Sequence, residues 1–178
     1  MINTGIQDTI NVISLPFKKE NTPYFIGSIA LTYGIYSFDQ DISNQIVQSN
    51  PSNEIESLES VGYLLGHPIF IGSLFSIGYT YGYIYDKKIQ TTSYLTLKSM
   101  IISNVVVHGL KLTTHRSRPK TGNGSQQFDG PSLSLDDDTL SFPSSHTATA
   151  FSVATVLSQQ YPKSSIWAYS LATMVGWS

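Results

Sequence analysis

Apolar positions in this chain come in long blocks, not in alternating apolar–polar pairs, and prolines and short polar runs divide the blocks. That spacing favours helices over strands. Residues 1–22 read as an irregular lead-in or short helix. Pro23 suits the first position of a helix, and Tyr24–Phe38 follows as that helix. Asp41–Gln48 looks like a short polar helix, closed by Ser-Asn-Pro-Ser-Asn-Glu at 49–54. Ile55–Gly66 and Pro68–Tyr85 are the next two, the latter with Gly72, Gly78 and Gly82 permitting close packing. The run Asp-Lys-Lys-Ile-Gln-Thr-Thr-Ser at 86–93 reads as a turn. A long helix then runs from Tyr94 to near Arg116, with Leu95, Leu97, Met100, Ile101, Val105 and Leu110 as its main apolar positions.

Lys120–Phe142 is rich in Gly, Pro, Ser and Asp and reads as a long loop. Loops of this length in compact domains are usually functional or disordered. Helix resumes over Ser145–Tyr161, breaks at Pro162 and runs again from Ser164 to the end. No stretch keeps a two-residue period between turn signals. The expected fold is all-α, a single helical domain over residues 1–178.

A membrane-spanning helix needs about 20 mostly apolar residues. Tyr24–Phe38 is too short, and Ser99–Leu110 is shorter still and carries Asn104 and His108. Val61–Tyr85 is long enough but is interrupted by His67-Pro68 and by glycines at 62, 66, 72, 78 and 82. The pattern favours a soluble or peripheral protein over an integral one. The Tyr-rich run at 78–86 suits an aromatic core edge better than a membrane interface.

Composition narrows the picture. Charged residues make up 12% of the chain and the net charge is -2, so no basic field points to nucleic acid. Eleven tyrosines, eight phenylalanines and two tryptophans argue against disorder. With no cysteine, disulfides and thiolate metal sites are excluded. The first twenty residues lack a basic region followed by an apolar core, so they are not a signal peptide; an exported protein would have lost its signal.

Two polar knots stand out against this background. The first is Lys-Leu-Thr-Thr-His-Arg-Ser-Arg-Pro at 111–119. On a helix, Lys111, His115 and Arg118 would fall within about 60° of one another, and Pro119 would stop the helix. Cations fixed on one face repel unless an anion sits among them. Arginine offers a fork for phosphate oxygens and lysine a point charge. The plain alternative is a solvated cationic helix end. The second knot is Pro-Ser-Ser-His at 143–146. Ser144 or Ser145 is a good N-cap, and the first helical turn exposes amide N–H groups that attract anions. His146 at its mouth can donate a proton near neutral pH. Here the plain alternative is an ordinary cap beside an incidental histidine. Together the knots hold what phosphoryl transfer requires, namely charge neutralisation and protonation of the leaving oxygen.

The spacing Lys, six residues, Arg-Pro, followed by Pro-Ser-Ser-His before a small-residue helix, resembles the type 2 phosphatidic acid phosphatase superfamily. That superfamily includes bacterial class A acid phosphatases and vanadium haloperoxidases. The likeness covers about residues 105–178. It implies a helical bundle of the acid phosphatase/haloperoxidase type and a phosphomonoester hydrolase that needs no metal or other cofactor, with phosphate or vanadate as the active-site anion. It implies that Lys111, Arg118, Ser144 and the amide of Ser145 hold the phosphate and that His146 is the general acid. Ser145 stands where the family usually has glycine. The family's third motif, Ser-Arg, five residues, His, three residues, Asp, would supply the nucleophilic histidine. Ser178 can be its first residue, so the nucleophile is expected beyond it and the 178-residue chain is expected to turn over little.

His115 is a candidate for tuning the pocket. Arg116 reads as a surface or ion-pair residue, His67 as a helix-junction residue, His108 as a core or interface imidazole, and Asp136–Asp138 as a solvated loop, with no metal site expected. The substrate is expected to be a phosphate ester, with a phospholipid among the candidates, acting in the cell envelope, in the periplasm or at a membrane surface. The alternatives are a non-catalytic anion- or lipid-binding helical protein and a vanadate-dependent haloperoxidase.

Overall fold

The computed structural model describes residues 2–38, 53–118 and 127–177, with side chains from residue 6 and, in the second stretch, from residue 60. The short helix expected at Asp41–Gln48, the helix-stopping Pro119 and Ser178 lie outside the described residues. The elements are α1 (Ile2–Ser14), α2 (Thr22–Tyr36), α3 (Asn53–Gly66), α4 (Pro68–Tyr85), α5 (Lys87–Thr114), α6 (Ser145–Gln160) and α7 (Ser165–Trp177). Short 3-10 turns occur at Leu15–Phe17, Asp137–Thr139 and Pro162–Ser164. Among the described residues there is no strand, only an isolated antiparallel bridge between Arg116 and Phe128. The fold is all-α.

The sequence places most of these helices within a residue or two, but α5 departs from expectation at both ends. The run at 86–93 is the start of α5 rather than a turn. Asp86 is the reason: its Oδ1 accepts from the amides of Lys88 at 2.8 Å and Ile89 at 3.2 Å, capping a helix whose first turn has no apolar stripe. At the other end α5 stops at Thr114, because His115 takes a left-handed φ of 40°. That conformation commonly ends helices, usually at a glycine.

The chain divides into two compact units, Met1–Asn50 with Gly109–Pro143, and Pro51–His108 with Ser144–Ser178. In the first, the Leu15–Phe17 turn packs on α1 and α2, with the Phe17 and Phe25 rings 5.5 Å apart. Two extended segments flank Arg116. Ser117 N–H donates to Gln127 O at 3.1 Å, Asp129 N–H to His115 O at 3.1 Å, and Ser141 N–H to Arg116 O at 3.1 Å.

In the second unit α6 packs on α7, and both pack on α3. The core is Ala150, Ala154, Ala172 and Val175, with Leu65 and Ala168 against it. Its other buried positions mix apolar residues, Ile71, Met100, Val107 and Val156, with polar ones, of which Thr96 and Thr149 are fully buried. Their hydroxyls stay inside the structure: Thr96 Oγ1 donates to Thr92 O at 2.9 Å, and Asn104 Nδ2 from α5 donates to Thr149 Oγ1 on α6 at 3.1 Å. Large apolar side chains lie outside, Ile69 and Ile77 on α4 and Ile166, Trp167 and Trp177 on α7 among them. Among the described residues no single helix is long and apolar enough to cross a membrane. The pair Ser60–Gly66 and Pro68–Tyr85, bent by 58°, passes by length and composition together.

Helix α4 meets α5 without a spacer at Gly82. A Cβ there would clash with the Gln90 backbone nitrogen and lie 2.7 Å from its Cα, atoms that cannot swing aside. Gly82→Ala is expected to destabilise the fold by about 1–3 kcal/mol as an overpacked contact. Gly72→Ala, where nothing lies within 4 Å, is expected to be neutral or to gain up to about 1 kcal/mol of helix propensity. Denaturant unfolding of the two variants checks the contrast.

Candidate active site

The cationic knot forms in the first unit, at the end of α5 and just past it. Lys111, in the last turn, is buried, and its Nζ donates to Leu140 O at 2.7 Å. Burial, then the nearby Arg118 charge, hold this ammonium below the ordinary lysine value of 10.5, while Asp137 pulls the other way. Arg118 Nη2 pairs with Asp137 Oδ1 at 2.7 Å and Nε donates to Asp137 O at 2.9 Å. Its backbone N–H donates to Asp138 O at 2.8 Å.

The expected shared helical face does not exist, since Arg118 lies four residues past the end of α5. The two cations instead converge on one short segment, Asp136–Leu140. That segment is the acidic run read from sequence as a solvated loop. It is a capped 3-10 turn, in which Asp136 Oδ1 accepts from Asp138 N–H at 3.1 Å, and it supplies Arg118 with a carboxylate.

His115 is only 2% exposed. Its Nδ1 lies 3.1 Å from Leu112 O and its Nε2 3.0 Å from Ser134 O. With both ring nitrogens facing carbonyl oxygens, this imidazole fixes the turn that follows α5.

The second knot opens α6 in the second unit. Ser144 is the N-cap, with extended backbone (ψ 123°), and its Oγ accepts from Thr147 N–H at 3.3 Å. Ser145 begins the helix. The other first-turn amides therefore point out of the helix end, the arrangement that binds anions. The His146 ring is held against Tyr63 at 4.8 Å and stands edge-on to His67 at 5.7 Å, and Tyr63 and His67 are themselves 5.6 Å apart. Helix α3 approaches so closely that a Cβ on Gly66 would lie 2.7 Å from both His146 Cβ and Val175 Cγ1.

Three residues, Asp137, Tyr63 and His67, take places that the sequence reading did not give them. Asp137 sits 19 residues from its arginine, and no local pattern links them. Tyr63 lies in the last turn of α3 and His67 is the extended residue between α3 and α4, so no helical spacing links the two rings that meet His146.

No curated protein and no solved structure matches the chain. The family model of the PAP2 superfamily matches residues 93–178, a span that holds Lys111, Arg118, Ser144, Ser145 and His146. Members of that superfamily generally hydrolyse phosphate esters. Over residues 93–178 the chain is similar to the PAP2 superfamily.

Proposed function

We propose that the chain carries the phosphate-binding groups and the general acid of a phosphomonoester hydrolase, with lipid phosphates as the substrate class and the cell envelope as its place of action. The observation that carries the reading is the convergence of Lys111 and Arg118 on one five-residue segment within the PAP2 match. In this reading Lys111 and Arg118 neutralise the phosphoryl oxygens, and Ser144 with the first-turn amides of α6 adds neutral donors. His146 gives its proton to the leaving oxygen as the P–O bond breaks. The site is built from cations and N–H donors, which suits an anion such as phosphate or vanadate without a metal to bridge it. The nucleophile is a histidine of the third motif. Neither Lys111 nor Arg118 offers a usable lone pair at neutral pH, and a lone serine hydroxyl needs a base. Lipid substrates and a membrane surface are supported by the large apolar side chains that the second unit leaves exposed, Ile69, Ile77, Trp167 and Trp177 among them.

The chemistry is tested on p-nitrophenyl phosphate without added metal. The 178-residue chain is compared with a chain extended through a Ser-Arg-x5-His-x3-Asp segment. Turnover is expected only in the extended chain, lost on His146→Ala with vanadate binding kept. Arg118→Ala is expected to remove the thermal shift that vanadate produces. Comparable turnover from both chains would instead place the nucleophile within these residues.

The depressed Lys111 gives a pH dependence of definite sign. Sulfate keeps its charge between pH 7 and 11, so loss of affinity over that range reports the protein. Affinity is expected to fall as pH rises through the lowered lysine value, beginning below 10.5, because the site then loses a positive charge. Lys111→Arg is expected to hold affinity through the same window. Calorimetric titration across pH 8–10.5 measures both.

Asp137 competes for the fork that a phosphate would use. Removing its charge while keeping its shape, in Asp137→Asn, is expected to tighten vanadate or sulfate binding about two- to fivefold at low ionic strength. Added salt is expected to erase the gain.

A further inference from the structure

The His146 imidazole is flanked by residues that lie outside the matched span 93–178. Helix α3 ends Tyr63-Leu64-Leu65-Gly66, and His67 follows as the extended residue before α4. The Tyr63 ring lies 4.8 Å from that of His146 and tilts 33° from its plane, so the two rings stand nearly face to face. His67 meets His146 edge-on, at 5.7 Å and 78°. Gly66 stands between the two flanking residues in sequence. A Cβ there would lie 2.7 Å from His146 Cβ and 3.0 Å from its Cδ2, so the bare glycine is what admits the imidazole this close.

The flanking rings are themselves tied down. His67 N–H donates to Leu64 O at 3.2 Å, and its carbonyl accepts from Ile71 N–H at 3.0 Å. Pro68 favours the extended backbone that His67 adopts, φ -69° and ψ 116°. Tyr63 rides on the last turn of α3 and lies 5.6 Å from the His67 ring as well.

A histidine does not set its own ring plane, because the torsion about its Cβ–Cγ bond is broad. A ring that turns freely spends part of its time with its N–H aimed away from the leaving oxygen. Neighbouring rings supply the missing restraint, and one aromatic pair biases such an equilibrium by about two- to tenfold. Proton transfer responds to that bias, since a small misplacement of a reacting group lowers the rate steeply.

We propose that Tyr63 and His67 are positioning residues for His146, holding its ring in the plane from which it gives its proton to the leaving oxygen. The inference rests on His146 being the general acid, and it gives a role to residues that the family match does not reach.

The test compares two esters that differ in their need for that proton. Phenolate leaves poorly and p-nitrophenolate leaves well, so a disturbed general acid slows phenyl phosphate more than p-nitrophenyl phosphate. Damage to the fold or to the phosphate pocket slows both alike. The protein carried through its third motif is assayed by kcat/KM on each ester. Tyr63→Leu and His67→Gln each remove one ring and are expected to shift the ratio of the two rates by at least about threefold against phenyl phosphate. Tyr63→Phe and His67→Phe keep a ring and are expected to leave the ratio within about twofold. His146→Ala is expected to shift it by at least about tenfold. Tyr63 is 59% exposed, so leucine is accommodated there, and vanadate affinity held within about twofold reports an intact fold in every variant. Carbon-13 relaxation of the His146 ring in the 178-residue chain gives a readout independent of turnover: ring order is expected to fall in Tyr63→Leu and to be kept in Tyr63→Phe. If His146→Ala shifts the ratio and either ring-removing variant does not, the positioning role of that residue is overturned and the general acid stands. If His146→Ala slows both esters alike, the general acid reading falls and the positioning role falls with it.

Discussion

Close approach of helix backbones governs the second unit, and it is possible only because the facing side chains are small. Gly66 lies against His146 Cβ, Gly82 against the Gln90 backbone, and Ala150, Ala154 and Ala172 fill the space between α6 and α7. Burial of this kind gains less from the hydrophobic effect per residue than a leucine core does. It relies on dense contact, which a single added methyl disturbs. The imidazole of His146 inherits its position from that contact. Its Cβ faces Gly66, and its ring lies beside Tyr63 and His67. Packing and proton chemistry are therefore one problem at this end of α6.

In the first unit the ordering agent is electrostatic. Two cations near one another would repel and scatter. The Asp136–Leu140 segment prevents this by offering Lys111 a carbonyl and Arg118 a carboxylate and carbonyls. The segment holds both side chains by hydrogen bonds, so less rotamer freedom remains to be lost when an anion arrives. The same carboxylate opposes that anion. Preorganisation and competition come from one residue, Asp137.

The helices that rest on block length and proline, α2, α3, α4, α6 and α7, were legible from sequence because Pro23, Pro68 and Pro162 mark their limits and apolar residues fill them. The start of α5 was not, since Lys87–Ser93 has no apolar stripe and its signal is a single capping aspartate. Its end was misjudged because a histidine holds the left-handed torsion that sequence reasoning assigns to glycine. At the start of α6 the Ser144 cap was legible, since a serine directly before a helical run marks its start. The pairing of Arg118 with Asp137 was not, because it closes a long loop whose composition says only that it is irregular.

That one torsion at His115 has a further effect. Arg116 and Arg118 are separated by a single residue, yet one lies beside the rings of Phe128 and Phe142 and the other grips Asp137. In a continuing helix their directions would differ by a fixed 200° and both would follow the axis of α5. The left-handed step releases them from that rule and delivers like charges to unlike neighbourhoods, one aromatic and one acidic. Selectivity between two anion-seeking groups is thus written in a backbone angle, and the arginines themselves are interchangeable in kind.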